Sequence, residues 1–277
     1  MAEESAGGPA RAVPPGVDPT VPNPARVWNY WLGGKDNFQV DREVGEQTLR
    51  ALPVVGVLAR ADREFLGRAV RYLAGEAGVR QFLDIGTGIP TANNTHQVAQ
   101  AIAPEARIVY TDNDPVVLAH ARALLTSTLP GRTDYIDADL REPDKILGSA
   151  SETLDFSQPV AVLLLAILGF ISDSEDPHAI VARLMDALPS GSYLVISHPA
   201  KDVSDEMAEA ARIWNERSPY EIVLRSPAVI ARFFEGMELL EPGVVQLPQW
   251  RPDPPEPDIG SATSQVVPHY CGIGRKI

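Results

Sequence analysis

The sequence predicts an α/β protein built on a doubly wound, mostly parallel seven-stranded sheet with an N-terminal helical lid. Three observations predict it. From residue 81 onward, short apolar runs alternate with helical patterns, as in a parallel sheet covered by helices on both faces. Residues 160–166 are apolar with no polar alternation, as in a central strand buried on both sides. The first strand runs straight into Asp84-Ile85-Gly86-Thr87-Gly88, a turn whose missing side chains let backbone N–H groups approach a ligand closely.

Taken in order, residues 1–24 are rich in Ala, Gly and Pro and predict an arm that is mobile at its start. Residues 26–32 predict a short aromatic helix stopped by Gly33-Gly34, and residues 41–51 a second helix. Residues 55–74 predict a third, because Leu58, Phe65, Leu66, Ala69, Val70 and Leu73 recur mostly every three or four positions. Together residues 25–78 read as a cap or lid. Residues 79–277 then form the main domain, Rossmann-like in its alternation: strands at 81–85, 107–111, 134–136, 160–166 and 192–197, and helices at 91–103, 115–125 and 178–188. Helices at 203–217 and 227–234 follow, and segments 238–245 and 266–273 predict a closing pair of strands. Five prolines within 248–257 predict an irregular surface loop between them.

Length and composition bound the function. With 277 residues the chain is long enough for one α/β domain and an extension, and 44% hydrophobic with 22% charged residues is a globular balance. The net charge of −13, without a Lys/Arg cluster, argues against direct binding to a phosphate backbone. The single cysteine, Cys271, excludes an internal disulfide and a multi-cysteine zinc site, and reads as a packed strand residue. His96 and His178 show no ligand spacing, so no metal site is predicted. The longest apolar run, 160–171, is shorter than the roughly 20 residues of a membrane helix, and no signal pattern opens the chain. The expectation is a cytoplasmic protein with a small-molecule substrate; the oligomeric state is not legible.

Ligands of such sheets gather at the carboxyl ends of the strands. After strand one stand Asp84, Gly86, Thr87 and Gly88; a dinucleotide fingerprint needs a third glycine where Thr91 stands, which disfavours a pyrophosphate cofactor. After strand two, Asp112 and Asn113 lie beyond Tyr110-Thr111, and 112 − 88 = 24 residues separate Asp112 from Gly88, near the about 20 expected of a ribose-binding acid. Asp112 could instead be a solvated turn or a helix cap, although Asp114, directly before Pro115, fills the cap better. After strand three, Asp139 suits an adenine amino group and Leu140 an apolar contact, with Asp137 as the structural alternative. Ala166 ends strand four.

These three spaced motifs resemble the class I S-adenosylmethionine-dependent methyltransferases. Residues 25–38, reading ARVWNYWLGGKDNF and followed by Asp41-Arg42-Glu43, resemble the signature of one bacterial S-adenosyl methyltransferase family first catalogued as a domain of unknown function. The likeness continues through residues 68–73, 81–90, 112–124, 138–143, 159–170, 191–198 and 272–276. It implies S-adenosyl-L-methionine as cofactor, S-adenosyl-L-homocysteine as product and methyl transfer as reaction, and it implies a histidine where this chain has Gly169.

On that reading the pair Gly33-Gly34 with Lys35-Asp36 forms a lid, and Tyr30 and Trp31 shield the sulfonium; plain packing of the aromatic extension is the alternative. A P-loop is excluded because Asp36 stands where Ser or Thr must follow the lysine. The methionine carboxylate and ammonium call for a cation, Lys35, Arg26 or Arg63, and an acid, Asp84 or Asp36. His198, after strand five, is the candidate general base, or else a hydrogen-bonded loop histidine. A non-catalytic sensor of the cofactor or its product, and a nicotinamide-dependent oxidoreductase, are the rival functions.

Overall fold

A computed structural model describes residue 13 and residues 15–124, 130–254 and 266–277, the side chains of 122–124 excepted. Three helices come first: α1 (Pro24–Trp31), α2 (Gln39–Ala51) and α3 (Val55–Gly75). Asn23 caps α1 by accepting from Ala25 N, and Pro24 sits at the first helical position, where its missing N–H costs nothing. β1 (Gln81–Ile85), α4 (Thr95–Ile102), β2 (Arg107–Asp112), α5 (Pro115–Leu124), β3 (Arg132–Asp137), α6 (Pro143–Ala150), β4 (Ala161–Leu165), α7 (Pro177–Asp186) and β5 (Tyr193–Pro199) make the alternating half. α8 (Asp205–Arg217), α9 (Pro227–Ala231), β6 (Met237–Leu239), β7 (Val245–Gln246) and β8 (His269–Lys276) close the chain.

The sheet order is β3-β2-β1-β4-β5-β8-β6, with short β7 also paired to β8. β1 to β5 are parallel, and β8 runs antiparallel to β5, so His269 at the start of β8 stands beside Pro199 at the end of β5. The sheet has eight strands because the predicted segment 238–245 divides around Pro242-Gly243 into β6 and β7. Side chains alternate between two core layers. Phe82 and Leu163 join the layer under α3, and Leu83, Val162 and Leu164 the opposite one with Leu184 and Phe233.

Several sequence expectations change. α3 is part of the main core rather than of a separate cap, because Phe65, Ala69 and Leu73 are fully buried against the sheet. Trp250, expected in a surface loop, is fully buried beneath α3, and Arg68 fixes it by donating to the carbonyls of Trp250 and Leu247; the rest of the predicted loop, 255–265, lies outside the described residues. α4 starts at Thr95 because Asn94 ties its side chain to both backbone groups of Thr91 and its backbone N–H to Gln97. α6 carries too short an apolar pattern, Ile146, Leu147 and Ala150, to stand out in sequence. The predicted arm lies outside the described residues at 1–12 and 14, whereas its end is fixed by Asn23 N–H donating to Asp41.

Candidate active site

The local chemistry of the first turn explains its glycines. Gly86 and Gly88 have φ of +74° and +67°, a left-handed region that side chains resist, and a Cβ at Gly86 would lie 2.8 Å from Ile167 Cβ. The turn is clamped from the neighbouring strand. Gly86 N–H donates to Thr111 O, and Gly88 N–H donates to Asp112 Oδ2 at 2.8 Å. Asp112 Oδ1 accepts from Asp114 N–H, which leaves each carboxylate oxygen a free lone pair. Asp114 in turn accepts from Val116 N–H at the start of α5, so the helix cap is Asp114 and not Asp112.

One cavity opens over this turn and follows the carboxyl edge of the sheet. Ala138, Asp139 and Leu140 line it after β3, Asp112 and Asn113 after β2, and residues 84–89 after β1. Leu165 and Ala166 line it after β4, Pro199 at the end of β5 and His269 at the start of β8. With strands about 4.8 Å apart, the five steps from β3 to β8 span roughly 24 Å. α1, α3 and α8 wall the other side with Trp28, Asn29, Trp31, Leu58, Asp62, Met207 and Trp214, among others.

The two halves differ in chemistry. Over β1 to β3 the lining is acidic and polar: burial pushes Asp84 and Asp112 up to about 6, although Thr95 Oγ1 bonds Asp84 and backbone N–H groups bond Asp112. Asp139 accepts from Asn113 Nδ2 at 2.7 Å and pairs with Arg141. Over β4, β5 and β8 the lining is apolar, with Trp31, Trp214 and Phe170 in edge or tilted contact at about 6 Å between ring centres. Asp62, which burial also pushes to about 6, accepts from Ser197 Oγ at 2.5 Å, and Ser197 Oγ accepts from Ala166 N–H. Ala166 holds φ of +56°, a strained value for a residue with a Cβ, at the junction of the two halves.

Comparison with known proteins gives this cavity its family. The model of a family described as S-adenosyl methyltransferase matches residues 10–277. The chain belongs to the S-adenosyl methyltransferase family. A solved structure from Streptomyces avermitilis, of a protein in the family catalogued as domain of unknown function 574, is 43% identical over 93% of this chain and 98% of its own, with a TM-score of 0.88. A Thermobifida fusca protein with a provisional methyltransferase assignment is 42% identical over 95% of this chain and 98% of its own, with a TM-score of 0.85. A SAM-dependent methyltransferase from Anabaena variabilis, 14% identical over 92% of this chain and 96% of its own, with a TM-score of 0.51, shares the fold. No curated protein matches the chain.

As an S-adenosylmethionine-dependent methyltransferase, the chain fits its cofactor at the β1–β3 end. The left-handed glycine turn forms a cradle at Gly88, where an added Cβ would stand in open space, and Asp84 and Asp112 line that end. Of the cofactor residues expected from sequence, Arg63, Asp84, Gly86, Thr87, Gly88, Asp112, Asn113, Asp139, Leu140 and Ala166 all line the cavity. Asp137 is exposed and does not.

The remaining expectations need correction. Arg26 is buried away from the cavity, donating to Asp18 O and Val21 O and pairing with Asp41 and Asp114, so it braces the arm. Tyr30 packs on Gly45 of α2, with its hydroxyl toward Glu46. Gly33, Gly34, Lys35 and Asp36 do not line the cavity; Asn29 Oδ1 accepts from Asp36 N–H and Asn37 Nδ2, and Asp36 approaches His120 at 3.5 Å. The motif therefore folds back on Asn29, and it is α1 itself, through Trp28, Asn29, Trp31 and Leu32, that covers the cavity. His198 is fully buried outside the lining, with Nδ1 against Pro199 O and Nε2 accepting from Arg225; burial pushes it to about 3, which removes it as a general base. Gly169 is also off the lining. A Cβ there would meet Pro199 Cγ at 3.0 Å, so Pro199 fills the space of a larger side chain.

Sequence reasoning missed Asp62 and His269. Asp62 had a signal: it sits four residues after Leu58 and three before Phe65, a carboxylate inside the apolar stripe of α3. His269 had none beyond a lone histidine after Pro268.

Proposed function

We propose that the chain methylates a small-molecule acceptor by in-line transfer, with the cofactor over β1 to β3 and the acceptor in the apolar half of the cavity. The observation that carries this reading is the continuity of one cavity from the acidic glycine turn to the aromatic chamber. The cofactor, when bound, supplies a methyl group activated by a sulfonium. We assign Asp112 to the ribose hydroxyls, Asp139 and Leu140 to the adenine, and Asp84 with Arg63 to the methionine end. Arg63 is the one of the three predicted cations that lines the cavity, and it donates to the carbonyls of Ala92 and Asn93.

The chain's own contribution is alignment and exclusion of water. Trp31, Trp214 and Phe170 keep the acceptor half dry, and the strained backbone at Ala166 marks where the two ligands meet. For a protic acceptor, Asp62 is the proton acceptor we assign, because its carboxyl sits at about 6, near working pH. The match to a methyltransferase family over residues 10–277 favours transfer over a sensing role.

Calorimetry with S-adenosylhomocysteine and with NAD, followed by transfer of labelled methyl from the cofactor to a small-metabolite extract, tests the reading. Homocysteine-cofactor binding and a labelled small product are expected. Binding of NAD instead, or label found only on macromolecules, would overturn it.

A further inference from the structure

Of the buried polar groups in the acceptor half that the cofactor assignment does not use, Asp62 is bonded to Ser197 and His269 has no partner among the described residues. His269 is 2% exposed, lines the cavity, and neither of its ring nitrogens has a hydrogen-bond partner among the described residues. A buried imidazole without partners costs the fold free energy, and a ligand group able to accept from one nitrogen or donate to the other removes that cost. Burial, with His198 nearby, holds His269 far below the ordinary histidine range, so the ring is neutral. It offers a ligand one N–H and one lone pair and no charge.

The walls around it narrow the ligand further. Met207, Ala210 and Trp214 of α8 pack with Trp31 and Leu52 into one wall of the cavity, so the acceptor body meets apolar and aromatic surface. The two lining arginines are already engaged: Arg63 with Ala92 O, Asn93 O and Asn94, and Arg141 with Asp139, Glu175 and Phe170 O. The lining acids, Asp62, Asp84, Asp112 and Asp139, are of the wrong sign for an anionic acceptor. A phosphate or carboxylate on the acceptor would therefore be desolvated without a counter-charge.

We propose that the methyl acceptor is an uncharged aromatic hydroxyl compound whose ring lies against the wall formed by Trp31, Trp214 and Phe170 and whose hydroxyl hydrogen-bonds to His269. A phenolic oxygen can accept from the imidazole N–H while its own proton remains available to Asp62. His269 is then an acceptor-binding residue: when the phenolic oxygen bonds the methyl carbon, the carbon–sulfur bond would break, S-adenosylhomocysteine would leave and the phenolic proton would pass to Asp62. The inference rests on the methyltransferase reading above and adds the substrate class to it.

The test is calorimetry on the full chain with three probes of one shape, 1-naphthol, naphthalene and 1-naphthoate, each with and without saturating S-adenosylhomocysteine. Expected are naphthol binding at least tenfold tighter than naphthalene and no measurable binding of naphthoate. The variant His269→Phe keeps a ring of similar size without nitrogens. It should bring naphthol down to the naphthalene level, leave S-adenosylhomocysteine affinity unchanged and raise the melting temperature of the ligand-free protein by roughly 2–4 °C, since a buried unpaired polar group has gone. Equal affinity for naphthol and naphthalene in the unaltered protein, a naphthol preference that survives His269→Phe, or tighter binding of naphthoate would each overturn the proposal. The first comparison needs no variant and so stands even if His269→Phe folds poorly. Loss of S-adenosylhomocysteine binding in the unaltered protein would instead overturn the cofactor assignment, a separate result.

Discussion

The two ends of the cavity are built by different rules. At the proposed cofactor end, the cavity-lining groups sit within a few residues of the ends of three parallel strands, fixed by Gly86 N–H donating to Thr111 O and Gly88 N–H donating to Asp112 Oδ2. At the acceptor end, Trp31, Asp62, Met207, Trp214 and His269 come from four separate elements and meet only after the chain has packed. The first end is a property of strand-to-turn chemistry, and the second is a property of tertiary packing. Variants at the first end should therefore act on cofactor affinity, and variants at the second should leave it alone.

Asp112→Ala should have the largest effect on S-adenosylhomocysteine affinity. It removes the assigned ribose acceptor and also frees Gly88 N–H and Asp114 N–H, which the carboxylate holds at 2.8 and 3.0 Å. Loss of charge-assisted bonds worth about 3 kcal/mol corresponds to roughly a hundredfold rise in Kd. A change under threefold by calorimetry would show that the cofactor end is not where strand two ends.

Gly86→Ala comes next. The added methyl must sit in a left-handed backbone and 2.8 Å from Ile167 Cβ, so about 2 kcal/mol of stability should be lost. Affinity should fall about tenfold because Ile167, which must move, lines the same cavity. Thermal melting and calorimetry on one sample separate the two losses.

The contrast in legibility follows the same division. Asp84, Gly86, Gly88, Asp112 and Asp139 could be read in sequence because strand ends and turns carry their chemistry within five or six residues. Arg26 and His198 were misassigned for the opposite reason: their types suit ligand binding and catalysis, but whether a side chain faces a cavity or a buried partner depends on distant residues, Asp41 and Asp114 for one and Arg225 for the other. The Gly33-Gly34-Lys35-Asp36 motif was legible as a motif and misread as a contact surface, because its partner Asn29 lies inside the helix it terminates. Fold class was legible throughout, since alternation of strands and helices needs no knowledge of what they touch.

A pH series gives a smaller effect that also distinguishes binding from folding. Asp84 and Asp112 ionise at about 6 in the free protein against 3.8 for an ordinary aspartate. On the proposed assignment, ionised Asp112 and Asp84 receive the ribose and ammonium groups, so S-adenosylhomocysteine affinity should be level above pH 7 and fall as pH drops through about 6. The stability of the ligand-free protein should move the other way. A carboxyl whose folded pKa is raised contributes stability that is complete below about 4 and is lost as pH rises through about 6. Affinity and melting temperature that fall together on acidification would mean that these acids are not the groups titrating.

Met207→Ala should have the smallest effect on cofactor affinity and yet a clear one on the fold. Met207 is 6% exposed on α8 and packs with Leu52, Val55 and Ala210, so truncation should cost about 2 kcal/mol or more. It lines the cavity only at the acceptor end, and nothing in the glycine turn leans on it. S-adenosylhomocysteine Kd should therefore stay within about twofold while 1-naphthol, held by the same wall, binds several-fold more weakly. If cofactor affinity fell as far as acceptor affinity, the two ends would be one cooperative unit, and the independence argued from their construction would fail.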